Sequence, residues 1–257
     1  MAVWPAFVFA GTVGSVVLSL GENTAKQPKE AVRKLKRKSD IFERDQIETG
    51  QKGRLQLKFS DGSRLSLRPL TAFTVEEYRF SQEQPQKGHS FYRLLRGGMR
   101  TITGAISSAD PDHYEVRTPI ATIGVRGTHY DLFYCDLSCS QRGQGEQGLH
   151  GYVLEGAVVV KQDERITEVA AGEFFFIGGK RISVSKAPLT KYQGRLNLHS
   201  VPLVQPAVPA LNIQQSSPSQ GQRTPQTGSP APNNNLNIYP GLNNPIQSRP
   251  DGDNLRR

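Results

Sequence analysis

The sequence predicts an all-β protein: a β-sandwich or short β-solenoid-like domain over residues 11–186, then a disordered tail over 187–257. Three observations carry this. Apolar and polar residues alternate over short runs, the period of half-buried strands. Gly, Asp-Gly and Pro punctuate those runs, as turns require. From Ala187 onward the composition shifts to Pro, Asn, Gln and Ser with few aromatics, which cannot bury enough apolar surface to offset the entropy of ordering. A hydrophobic content of 36% over 257 residues agrees with part of the chain lying outside any core.

The first ten residues carry no charge, and Val8-Phe9-Ala10 offers small or neutral residues at the −3 and −1 positions of a signal-peptidase cut. We read residues 1–10 as the remnant of a clipped export signal, leaving Gly11 as the first mature residue. A basic n-region is missing, so an ordered N-terminal strand is the other reading. Residues 31–50, "AVRKLKRKSDIFERDQIETG", have helical propensity but hold no 3.6-residue apolar period. The basic run 33–38 reads as an exposed strand or loop face.

The segment 53–69, "GRLQLKFSDGSRLSLRP", reads as a hairpin. A two-residue Asp61-Gly62 loop taken alone would set Phe59 against Arg64 and every apolar residue against a polar one. A three-residue loop, Ser60-Asp61-Gly62 with Gly62 left-handed, opposes Leu57 to Leu65 and Leu55 to Leu67. A solenoid corner with the same inward residues is the alternative. Further on, "LRGGMRTI" (95–102) and "LEGAVVVK" (154–161) echo each other as leucine, charge, glycine, small residue. The echo is too weak to define a regular repeat.

Residues 118–134, "TPIATIGVRGTHYDLFY", hold the most distinctive pattern. It lacks the spacing of a dinucleotide loop and the lysine of a P-loop. A Gly-x-x-Gly loop that clamps nucleic acid joins helices, whereas both flanks here read as strands. Glycines in such a context mark a corner, bulge or close backbone approach. Arg126 is therefore expected to bond carbonyls left open at that corner; contact with a ligand is the other reading. Pro119, without an N–H, fits a sheet entrance or edge.

Cys135 and Cys139 complete the inventory of cysteines. In an extended strand they would stand about 13 Å apart, beyond the ~7 Å disulfide limit, so bonding needs a tight turn at 136–138. In an oxidising compartment we expect that disulfide, closing the base of a mobile, glycine-rich recognition loop over 140–148. No further cysteines exist to complete a metal site, and His113, His129 and His150 lack ligand spacing.

Five stretches in order, "FERDQIETG" (42–50), "LQLKFSDGSRLSLRPLT" (55–71), "YEVRTPIATIGVRGTHYDL" (114–132), "YVLEGAVVV" (152–160) and "EVAAGEFFFI" (168–177), make residues 11–185 similar to the FecR-type domain. That is a bacterial periplasmic signalling domain. Its motif positions here are Thr118, Pro119, Gly124, Arg126, Gly127 and Thr128, with Asp61 and Gly62 in the hairpin. The resemblance implies an all-β, exported, non-enzymatic module. The family's best-known members pass a signal from an outer-membrane transporter to a cytoplasmic anti-sigma segment through a spanning helix. We expect a stand-alone member here, since no apolar run of about 18 residues is present.

A net charge of +9 raises anionic partners. It is dispersed, with 26 Lys/Arg against 21 Asp/Glu before residue 187, so no nucleic-acid partner is expected. No Gly-x-Ser-x-Gly nucleophile motif occurs, and the adjacent Glu76 and Glu77 would point to opposite strand faces. We expect no catalytic residue, cofactor or metal, a periplasmic or secreted location, and an envelope protein or cell-wall polymer as partner. The alternative is a carbohydrate- or cell-wall-binding protein that uses Tyr78, Phe91 or Tyr92 as exposed sugar platforms.

Overall fold

The computed structural model describes residues 11–187. The expected export signal at 1–10 and residues 188–257 of the expected disordered tail (187–257) lie outside the described residues. Fifteen strands follow one another: β1 (Thr12–Leu20), β2 (Asn23–Lys26), β3 (Arg33–Lys34), β4 (Asp40–Phe42), β5 (Gln46–Thr49), β6 (Arg54–Phe59), β7 (Arg64–Leu67), β8 (Ala72–Arg79), β9 (His89–Ile102), β10 (Tyr114–Arg117), β11 (Thr122–Cys135), β12 (Gly148–Gln162), β13 (Arg165–Ala170), β14 (Phe174–Gly178) and β15 (Arg181–Ser185). Two one-turn helices, α1 (Ala105–Ala109) and α2 (Leu137–Gln141), interrupt them. The chain is all-β, as its alternation predicts. Residues 31–50 form short strands, with turns at the positive-φ residues Lys38 and Arg44.

All strands belong to one hydrogen-bonded network, but it folds into two half-sheets. One half runs β3-β2-β5-β8-β9-β10-β11-β12-β13 and the other β4-β1-β6-β7-β9-β11-β12-β14-β15. The long strands β9, β11 and β12, of 14, 14 and 15 residues, are shared by both halves. Each changes partners midway. β9, for instance, pairs β8 up to Arg96, and β7 and β11 from Gly97 onward. Among the described residues only β9 and β10 run parallel; every other pair is antiparallel.

The two halves enclose a continuous core. Phe59 on β6 packs its ring 5.4 Å from both Tyr78 on β8 and Tyr92 on β9, and the Tyr114 and Tyr130 hydroxyls meet at 2.8 Å. Tyr78 and Tyr92 are therefore core residues, 5% and 3% exposed, not sugar platforms. A bulge between Val75 and Glu77 turns Tyr78 inward, and Tyr92 lies inward with Ser90 and Leu94. Phe91 is half-buried, with His89 stacked on it at 5.4 Å and the Arg117 guanidinium 5.5 Å from its centroid. Burial raises the phenol pKa of Tyr78, Tyr92, Tyr114 and Tyr130, so all four stay protonated donors through the neutral range.

The β6–β7 hairpin adopts the register that a three-residue loop demands: Leu55 stands opposite Leu67 and Leu57 opposite Leu65. Gly62 has φ +86°, and Gly62 N donates to Phe59 O at 3.1 Å. Asp61 accepts from Ser63 N and Ser63 Oγ, at 3.0 and 2.6 Å. The loop is tied to the core by Tyr78, whose hydroxyl accepts from Asp61 N at 2.9 Å and lies 3.1 Å from Ser60 Oγ. Replacing Tyr78 by Phe keeps the ring and strands the buried Asp61 N–H. It is expected to cost about 1–3 kcal/mol, read as a lower urea midpoint with unchanged far-UV circular dichroism.

Candidate functional site

Each shared strand meets the same geometric problem. Side chains alternate faces, so a strand that leaves one half-sheet for the other must change which residues point inward. β9 buries Ser90, Tyr92 and Leu94, then Met99 and Thr101. β11 buries Ile123 and Val125, then Thr128, Tyr130 and Leu132. β12 buries Leu149 and Val153, then Val158 and Val160. In each case the parity flips at one glycine with positive φ: Gly97 (+82°), Gly127 (+58°) and Gly156 (+75°). The three surrounding segments are Leu95-Arg96-Gly97-Gly98, Val125-Arg126-Gly127-Thr128 and Leu154-Glu155-Gly156-Ala157. The faint internal echo is thus a repeated bend, not a repeated domain.

The distinctive stretch is built around the second bend. Its first part is a turn between β10 and β11. Thr118 N donates to Ala121 O at 2.9 Å, and Thr118 Oγ1 accepts from Ala121 N at 3.1 Å while donating to Ala121 O at 2.8 Å. Pro119 sits exposed in that turn, where its missing N–H costs nothing. Gly124 lies mid-strand opposite Glu115 and Val159, and an added Cβ would meet nothing closer than 3.9 Å.

At the bend, Thr128 is the residue that holds the strands. It is 3% exposed. Its Oγ1 accepts from Arg126 N at 3.2 Å and donates to Ala157 O of β12 at 2.8 Å; its own N–H donates to Thr103 Oγ1 at 2.9 Å. Arg126 does not fill the role expected of it. Its side chain is exposed and makes no hydrogen bond or ion pair among the described residues. Two carbonyls at the bend are satisfied without it: Thr128 O accepts from Thr103 N at 3.1 Å and Ala157 O from Thr128 Oγ1 at 2.8 Å.

Three residues further on, Asp131 is fully buried and sits directly opposite Arg100 of β9. Arg100 donates through Nε and Nη2 to its two oxygens at 2.9 and 2.7 Å, and Arg68 Nη2 lies 3.5 Å away. Two parallel charge-assisted bonds fix both side chains in one plane. Sequence reasoning missed this pair. The one available signal was an acidic residue inside an apolar strand, which needs a cationic partner if buried.

Cys135 and Cys139 are brought together by α2, with Cα atoms 5.3 Å apart and sulfurs bonded at 2.02 Å. Asp136 starts that turn, accepting from Cys139 N at 2.8 Å and Ser138 Oγ at 2.9 Å. Both cysteines pack with Phe133 and Phe174. The loop after α2 is folded back on it, through Gly143 N to Ser140 O and Gln144 N to Cys139 O. His150 Nε2 and Glu146 O are 2.8 Å apart, and His150 lies against Phe176. Burial lowers the pKa of His150; burial and then Arg100 lower that of His129. In both the neutral ring is favoured. Among the described residues no three His, Cys, Asp or Glu side chains converge as a metal site.

The family model described as FecR protein matches residues 45–159, a range that contains all three bends. Two crystal structures described as a candidate anti-sigma factor from Parabacteroides distasonis ATCC 8503, at 2.50 and 1.65 Å resolution, resemble the chain. Each has a TM-score of 0.42 and 14% identity, and covers 55% of this chain and 58% of that one. The chain thus spans under two thirds of their length. No curated protein matches it.

The bends predict a graded pair of substitutions. A Cβ at Gly127 meets no atom within 4 Å, whereas one at Gly156 would lie 2.5 Å from Gly127 O. Gly127→Ala is expected to cost about 1–2 kcal/mol, the strain of a left-handed residue alone. Gly156→Ala adds a backbone clash and should lower the urea midpoint well beyond that, or prevent folding.

Proposed function

We propose that the protein, whose residues 45–159 match the family model described as FecR protein, is an exported, non-enzymatic signalling module of the bacterial envelope that works by binding another protein. The family match is the observation that carries this reading. Two features support it. The motif residues Thr118, Gly127 and Thr128 are spent on joining strands, which is the work of a scaffold. A disulfide between cysteines only four positions apart suits an oxidising compartment. The expected cell-wall-polymer partner loses its main support, because Tyr78 and Tyr92 are buried.

Export is the part most open to a direct test. Expressed from its natural upstream sequence, the protein is expected outside the cytoplasm, with an N-terminus near Gly11 and both cysteines protected from a thiol reagent. Recovery from the cytoplasm with two reactive thiols would overturn the proposal.

A further inference from the structure

One end of the molecule gathers three turns around a cleft of about 500 Å³. They are the Thr118–Ala121 turn, the Gln162–Asp163 turn between β12 and β13, and the Gly179–Lys180 turn between β14 and β15. The first of these is the Thr-Pro-x-Ala start of the distinctive stretch, whose Pro119 the fold leaves exposed.

Two observations mark the cleft as more than a gap between loops. Gln162 lines it and is 7% exposed. Its Nε2 donates to Gly179 O at 2.6 Å, but its buried Oε1 has no donor among the described residues. A buried acceptor left open costs about 1–3 kcal/mol, and an incoming N–H would remove that cost. Lys161 and Lys180 flank the same cleft, both exposed and neither paired with a carboxylate among the described residues. Glu115, by contrast, is already engaged by Arg117 at 3.0 Å, and Asp163, the second carboxylate of the lining, is exposed in the β12–β13 turn and forms no ion pair with either lysine among the described residues. Beside the cations, Pro119 and Ile120 supply apolar surface.

We propose that this cleft binds a short, extended, acidic peptide segment of a partner protein. A peptide supplies three complements together: a backbone N–H for Gln162 Oε1, a carboxylate for Lys161 and Lys180, and a side chain to lie on Pro119 and Ile120. The cleft volume falls in the range of specific ligand sites. This inference rests on the protein-interaction reading and names the site through which it acts.

The test uses a fluorescein-labelled, amidated peptide of sequence Gly-Glu-Val-Glu-Val-Gly and its counterpart with Gln in place of Glu, titrated against the whole protein by anisotropy. The Gln162 side-chain amide is followed by NMR. Saturable binding of the acidic peptide is expected, at least tenfold weaker for its Gln counterpart and for Lys161→Ala/Lys180→Ala, with a shift of the Gln162 amide signals. Lys34→Ala/Lys36→Ala, which removes two exposed cations elsewhere, should leave affinity unchanged. No binding at peptide concentrations near about 1 mM, equal binding of both peptides, or equal binding by the Lys161/Lys180 variant overturns the inference. So does displacement by equimolar inorganic phosphate, which would reduce the cleft to a simple anion site. The export experiment is independent of these outcomes, so failure at the cleft leaves the envelope reading standing.

Discussion

Everything in this fold depends on three long strands crossing from one half-sheet to the other without breaking their hydrogen-bonded ladders. A strand that simply continued would turn its apolar residues to solvent at the crossing. An odd-residue bulge restores the inward set, and the backbone there must enter a left-handed conformation that glycine adopts at least cost. Gly97, Gly127 and Gly156 are those positions. The last two lie side by side, since a Cβ on Gly156 would strike Gly127 O. The small residue after each glycine then sits within the ladder. In the second bend it is Thr128, which ties β11 to β12 and to Thr103.

The Asp131–Arg100 pair follows from the same arrangement. Past the bend, β11 and β9 run antiparallel with these two residues directly opposed. A buried ion pair adds little stability compared with apolar packing, yet losing one partner is severe because the other is left charged and dry. The pair therefore makes one register of β9 against β11 strongly preferred. The disulfide and α2 close the far end of β11. The stretch from Thr118 to Cys139 is thus tied down at its turn, its bend, its buried charge and its end.

Much of this was legible in the sequence. Alternation gave the strand class, and the 55–67 hairpin could be placed in register from its apolar pattern, which a three-residue loop satisfies and a two-residue loop does not. The misreadings have a common cause. Tyr78 follows two glutamates, and the bulge that turns it inward leaves no mark in a propensity pattern. The adjacent Phe91 and Tyr92 must face opposite ways, but which one enters the core depends on partners far along the chain. Arg100 and Asp131 are 31 positions apart, so their pairing is a property of topology. The role expected of Arg126 assumed open carbonyls at the bend, two of which, Thr128 O and Ala157 O, accept from Thr103 and Thr128 instead. Gln162 and the lysines beside it carry no sequence signal, because three separate turns build that cleft.

The distinctive stretch holds the fold through Asp131, and its exposed arginine does not. Urea unfolding of Asp131→Ala and Arg126→Ala tests this most directly. Asp131→Ala is expected to lose about 3–5 kcal/mol and Arg126→Ala to change by no more than about 0.5 kcal/mol. A neutral Asp131→Ala, or an Arg126→Ala variant destabilised to the same degree, would contradict it.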